Sequence, residues 1–140
     1  MSDAATQSFL EALRPLSRRL GAERTISAGK MGALSHLAEH GRATSSELAT
    51  TQRVSPQAMS LAMQELEQLG FVLRVRDSED RRRIWIELTD AGRQKLAAER
   101  LAGQGWLERA IEERLTPDER ATLEAVIPTL RKLGAEASVD

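Results

Sequence analysis

The chain has 140 residues, 41% of them apolar, with 20 basic and 21 acidic side chains and a formal net charge of −1. That describes one soluble globular domain, or one domain with helical extensions, and a charge so near zero leaves any attraction to a polyanion to local patches. Cysteine is absent, which excludes disulfides, thiolate metal sites and thiol-based redox sensing. No apolar run approaches the roughly 20 residues that span a bilayer. The opening MSDAATQSFLEALRP has neither the basic nor the apolar region of a secretion signal, so the cytoplasm is the expected location and no membrane partner is expected.

Phe9, Leu13, Leu16 and Leu20 fall at helical spacing, which predicts a first helix from about Asp3 to Leu20, kinked where Pro15 removes a backbone donor. This helix has little of its own to pack on, which suggests a partner subunit. Ser27 is placed to cap a second helix, with Ile26 and Met31 at staple spacing, Leu34 and Leu37 facing inward, and Gly41 ending it. The helix contains His36, Glu39 and His40 in the H-x-x-E-H spacing of some zinc peptidases, and two histidines four apart share a helical face. No distant glutamate stands out as a third ligand, and His40 suits the negative end of the helix dipole. A hydrogen-bonded, partly buried His36 is therefore preferred, with no metal, no cofactor and no catalytic residue.

Thr44-Ser45-Ser46-Glu47 is a capping box opening a short helix to about Gln52, with Leu48 and Ala49 as anchors. After a turn at Arg53 and Val54, Ser55 caps another helix with Pro56 at its first position. Met59, Ala62, Met63 and Leu66 form its inward face, and Leu69-Gly70 closes it. The opposite side offers Ser55, Gln57, Ala58, Ser60, Leu61 and Gln64. Glutamine pairs with adenine, serine with either partner, and Ala58 or Leu61 meets a thymine methyl. The helix has no lysine or arginine, and Glu65 and Glu67 are acidic. Electrostatic weight for a nucleic acid therefore shifts to Arg42, Arg53, the helix N-terminus and the arginines beyond Gly70.

Those arginines lie in FVLRVRDSEDRRRIWIELT, Phe71 to Thr89: two short alternating runs around an acidic turn. Period-two alternation predicts a β-hairpin, with Ile84, Ile86 and Leu88 inward and Trp85 outward against Leu73 or Val75. Arg74, Arg76, Arg81, Arg82 and Arg83 gather near the tip, a phosphate or minor-groove contact in its simplest reading. Two capped helices, a tight turn and a two-stranded wing make a winged helix-turn-helix.

The segment from Gly70 to Gly92 resembles the wing of the MarR family of transcription regulators, with Asp80 and Arg82 as Asp-x-Arg and Leu88, Thr89 and Gly92 as Leu-Thr-x-x-Gly. Beyond it, Thr89 should cap a long helix carrying Leu96, Leu101, Trp106, Leu107, Ala110 and Ile111, softened by Gly103 and Gly105. Thr116-Pro117-Asp118-Glu119 opens a last helix to about Gly134, striped by Leu123, Val126, Ile127, Leu130 and Leu133, with a bend expected at Pro128.

The expectation is a mainly α fold with a small β-wing, one domain over residues 1–140. The winged helix-turn-helix occupies about 27–89, and dimerisation helices lie at about 3–21 and 90–134. The apolar stripes of the latter are consistent with a two-fold dimer. The expected function is that of a sequence-specific, double-stranded DNA-binding regulator, most simply a repressor, acting as a homodimer on a pseudo-palindromic operator. Its DNA-binding residues would be Arg42, Thr44, Arg53, Ser55, Pro56, Gln57, Ala58, Ser60, Leu61, Gln64, Arg74, Asp80, Arg81, Arg82 and Arg83. The resemblance further implies release by a small-molecule effector between the dimerisation helices and the winged module. Leu13, Leu16, Leu34, His36 and Trp106 are the residues that would line such a site. The alternatives are a zinc hydrolase using His36, Glu39 and His40, and a winged-helix module that binds protein.

Overall fold

Six side-chain caps set where the helices of this chain begin. Ser2, Ser27, Thr44, Ser55, Thr89 and Thr116 each accept the backbone N–H three residues ahead, satisfying a donor that the helix itself leaves open. Thr44 and Thr116 close full capping boxes with Glu47 and Glu119, and Pro56 and Pro117 occupy first-turn positions. The structure, a computed structural model, describes residues 1–135. The elements are α1 (Asp3–Ala22), α2 (Ala28–His40), α3 (Ser45–Gln52), α4 (Pro56–Gln68), β1 (Val72–Arg76), β2 (Ile84–Leu88), α5 (Asp90–Arg114) and α6 (Pro117–Gly134). The fold is thus mainly α with a two-stranded wing. Helices α1 and α6 run unbroken through Pro15 and Pro128.

The chain forms two compact units, Met1–Gly103 and the segment from Gln104 onward. The first holds a core of Met31, Leu34, Leu37, Leu48, Met59, Met63, Leu66, Val72, Ile86 and Leu96 with several alanines. These come from every element between α2 and the start of α5, so the core fixes how α3, α4 and the wing sit together. The strands are antiparallel, Val72 opposite Leu88 and Arg76 opposite Ile84. Alternation held where the hairpin lies on the body: Val72 and Ile86 are buried. Ile84 belongs to the same face but is 39% exposed, because the hairpin extends past the edge of the core there.

The joint between wing and α5 explains the Leu-Thr-x-x-Gly pattern. The Thr89 hydroxyl donates to the Gly70 carbonyl at 2.6 Å and accepts the Gly92 N–H at 3.0 Å. A Cβ at Gly92 would overlap the Phe71 carbonyl oxygen, so only glycine lets the helix start this close to the strand. A buried charge ties α5 to the α1–α2 connection. Glu99, 4% exposed, accepts the Thr25 backbone N–H at 2.8 Å and the Thr25 hydroxyl, and pairs with Lys95 at 3.0 Å. Burial alone would raise the Glu99 pKa, but the Thr25 and Lys95 donors outweigh it and hold the carboxyl below the ordinary glutamate value.

The outward faces of α1 and α6 are apolar. Phe9, Leu10 and Leu16 are exposed on α1, and Leu123, Val126, Ile127, Leu130 and Leu133 on α6. No helix among the described residues is long and apolar enough to cross a membrane.

Candidate nucleic-acid interface

Helix α4 is held by its buried side and presents the other to solvent. Met59, Met63 and Leu66 lie in the core, while Pro56, Gln57, Ser60, Leu61 and Gln64 line a shallow open groove. Leu61 is 56% exposed, although it is a large apolar side chain. The two acids of the helix are half-exposed, and each is paired with a cation. Glu65 pairs with Lys30 of α2, and Glu67 pairs with Arg74 of β1 at 3.3 Å. The helix therefore offers an uncharged polar surface with one apolar side chain.

The turn between α3 and α4 is tight because Arg53 adopts the left-handed conformation, φ 54°, and its N–H closes onto the Ala49 and Thr50 carbonyls. An L-residue pays for this geometry, and glycine is its usual occupant. Composition gave no sign of it, since arginine carries no turn signature.

At the wing tip, the Asp77 N–H donates to the Arg83 carbonyl and the Arg83 N–H to the Asp80 carbonyl, each at 2.9 Å. The Asp80 N–H donates to the Asp77 carboxylate at 3.3 Å, the largest reason that this carboxyl is held below its ordinary range. Asp80 in turn accepts the Arg82 N–H at 3.1 Å and faces its side-chain Nε at 3.6 Å. The Asp-x-Arg pattern is thus a local device: the carboxylate orients an arginine whose side chain is 95% exposed. Arg76 and Arg81 are also exposed, whereas Arg74 lies mid-strand and is turned back to α4.

Arg42 lies in the link before α3, where Ala43 exchanges two hydrogen bonds with Ile86, at 3.1 and 2.7 Å. This bridge brings Arg42 to Trp85, its guanidinium carbon 4.5 Å from the ring centroid; that of Arg83 is 5.4 Å away. A single bridging residue leaves no alternation to read, so the sequence did not show it. Trp85 stands opposite Val75, as expected of its outward position. The expected DNA-contacting residues are exposed apart from Thr44 and Asp80, which are half-buried.

The other expected residues differ in burial. Leu34 is fully enclosed in the core, Leu13 and His36 are half-buried, Leu16 is exposed, and Trp106 is buried in the segment from Gln104 onward. The His36 and His40 rings lie 4.7 Å apart, and among the described residues no three metal-binding side chains converge.

The fold that carries this arrangement has counterparts among known proteins. The MarR family model matches residues 26–84, which run from before α2 into β2. An uncharacterized HTH-type transcriptional regulator of Mycobacterium bovis is 34% identical over 110 residues, covering 76% of this chain and 77% of that protein. The chain belongs to the MarR family. A second relative, the uncharacterized HTH-type transcriptional regulator YwhA of Bacillus subtilis, is 36% identical over 91 residues, 65% of each chain, so just under two thirds of its length is matched. A solved transcriptional regulator from Pseudomonas aeruginosa is 27% identical with a TM-score of 0.82, covering 98% of this chain and 100% of its own. This MarR-family protein is a transcription regulator rather than an enzyme, and the hydrolase alternative falls with that.

Proposed function

We propose that this regulator is a homodimer that binds double-stranded DNA sequence-specifically on a pseudo-palindromic operator and represses transcription by occupying it. The observation that carries the reading is the pairing of surfaces. Gln57, Ser60, Leu61 and Gln64 stand exposed and uncharged on α4, while Arg42 in the link before α3 and Arg81, Arg82 and Arg83 of the wing stand exposed as well. The first set suits base edges in the major groove, with adenine for the glutamines and a thymine methyl for Leu61. The second suits phosphates and the flanking minor groove, with Arg82 foremost. Exposed apolar faces on α1 and α6 support a second copy as partner, since a monomer would leave both in water. Release by a small-molecule effector belongs to the same proposal, with half-buried His36 as its polar contact. A thermal-shift screen of aromatic acids, with His36→Ala as control, tests that part; a response unchanged in the variant removes His36.

Selection of duplexes from a random library, followed by titration across salt, tests the rest. The expected product is an inverted repeat whose half-sites lie about one helical turn apart. Its affinity should fall steeply between about 50 and 200 mM salt. No enriched sequence, or an affinity indifferent to salt, would overturn the proposal.

A further inference from the structure

The arginines around the wing are held in two different ways. Arg74 and Arg82 are paired with carboxylates, those of Glu67 and Asp80. Arg42 and Arg83 instead lie against the ring of Trp85, at 4.5 and 5.4 Å, and neither closes an ion pair with a carboxylate among the described residues. Asp77 feels the Arg83 charge only at longer range. The difference matters for an incoming anion. A salt-bridged guanidinium must exchange one anion for another. A guanidinium stacked on an aromatic face keeps its N–H edge free for bidentate hydrogen bonds to phosphate.

The backbone around the ring is fixed on each side. Arg42 is next to Ala43, which is locked to Ile86 by two hydrogen bonds, and Ile86 is next to Trp85. Arg83 is anchored through its own N–H and carbonyl to Asp80 and Asp77. Across the strand the ring is backed by Val75. Its Nε1–H is shielded from water, and the Asp77 carboxylate is the acceptor it faces. Two like charges from separate parts of the chain are thus gathered on one ring toward the tip of the wing.

We propose that Trp85 is a positioning residue for DNA binding: its ring sets Arg42 and Arg83 as a preformed pair of phosphate ligands. This rests on the DNA-binding reading above. Preorganisation of this kind raises affinity by removing the ordering cost from the binding step, and it adds no sequence preference because phosphates carry none.

The test is a cycle on the selected duplex with four proteins: wild type, Trp85→Leu, Arg42→Ala/Arg83→Ala, and all three changes together. Removing the arginine pair from both protomers should make the slope of log affinity against log salt shallower by about 3.6, four phosphates at about 0.9 each. Trp85→Leu should weaken binding about tenfold at fixed salt, with a slope between those of wild type and the arginine variant. In the arginine-free background, Trp85→Leu should change affinity by less than about twofold. A tryptophan that merely supported the hairpin would cost the same in both backgrounds, and that result would overturn the assignment. So would unchanged affinity and slope in Trp85→Leu. Should Trp85→Leu melt before binding is measured, Trp85→Phe replaces it. Its smaller ring should cost about threefold beside the arginines and nothing without them, and equal losses would again refute the role. Wild-type protein that selects no duplex would remove the DNA-binding reading itself and this assignment with it.

Discussion

Glu99→Ala removes the acceptor of three donors at the joint between α5 and the α1–α2 connection. The Thr25 N–H at 2.8 Å and the Thr25 hydroxyl lose their acceptor, while the Lys95 ammonium loses the carboxylate at 3.0 Å and keeps the Thr25 hydroxyl oxygen at 2.7 Å. Hydrogen bonds to a charged group contribute about 1.5–3 kcal/mol each when a donor is left dry. Here the donors are not left dry, because Thr25 is exposed and the Lys95 side chain is 26% exposed, so water reaches them after truncation. The expected loss is therefore about 2–3 kcal/mol in total, seen as a fall in melting temperature of roughly 6–12 °C. Glu99→Gln keeps the volume and one acceptor and should cost about 1 kcal/mol. The two also differ in acid. The folded carboxyl titrates below its ordinary value of 4.5, so the charge stabilises the fold fully above that pH. That contribution drains away as pH falls through the lower, folded value. Urea unfolding at fixed protein concentration, from pH 7 down to about 3, should show wild type losing more stability than Glu99→Gln below pH 4.5. An acid slope identical in the two proteins, or a Glu99→Ala loss under about 1 kcal/mol, would refute the argument.

Arg82→Ala and Asp80→Ala should both weaken operator binding in gel shifts while leaving the melting temperature unchanged, Arg82 more severely because Asp80 acts through it; wild-type affinity in Arg82→Ala would remove the wing contact. Arg53→Gly relieves a left-handed φ and should raise stability by about 0.5–1 kcal/mol while lowering DNA affinity, measured by urea melts and titration. Gly92→Ala drives a methyl into the Phe71 carbonyl and should cost about 2–4 kcal/mol, whereas Gly32→Ala meets only the movable end of Gln52 and should cost under about 1 kcal/mol in the same melts.

Helix starts and the hairpin were readable because their causes are local: a serine or threonine at a cap, a proline after it, a two-residue alternation. The α3 capping box is Thr44 to Glu47, four consecutive residues, and it formed as written. Features that join distant residues left no such trace. Thr25 and Glu99 are 74 positions apart, and nothing in either neighbourhood names the other. The acids of α4 looked from the sequence like a liability for binding an anion. Lys30 and Arg74, from α2 and β1, answer them in space, which composition of one helix has no means to express. Trp85 was read as packing alone because alternation gives the face of a side chain and not its neighbours. The left-handed Arg53 was hidden for another reason: its residue type argues against its backbone.

The pairing of Glu65 with Lys30 and Glu67 with Arg74 has an evolutionary consequence. With both acids paired and Met59, Met63 and Leu66 in the core, the helix is held from behind, so Gln57, Ser60, Leu61 and Gln64 owe almost nothing to the fold. Exposed positions of this sort tolerate replacement within about 0.5 kcal/mol of folding stability. If grip resides in the wing and choice in these four side chains, a duplicated copy of the gene could acquire a new target sequence by a few substitutions without first losing its hold on DNA. The lineage would then diverge fastest at these four positions and slowest at Asp80 and Arg82, on which that grip would rest, and at Thr89 and Gly92, which join the wing to α5.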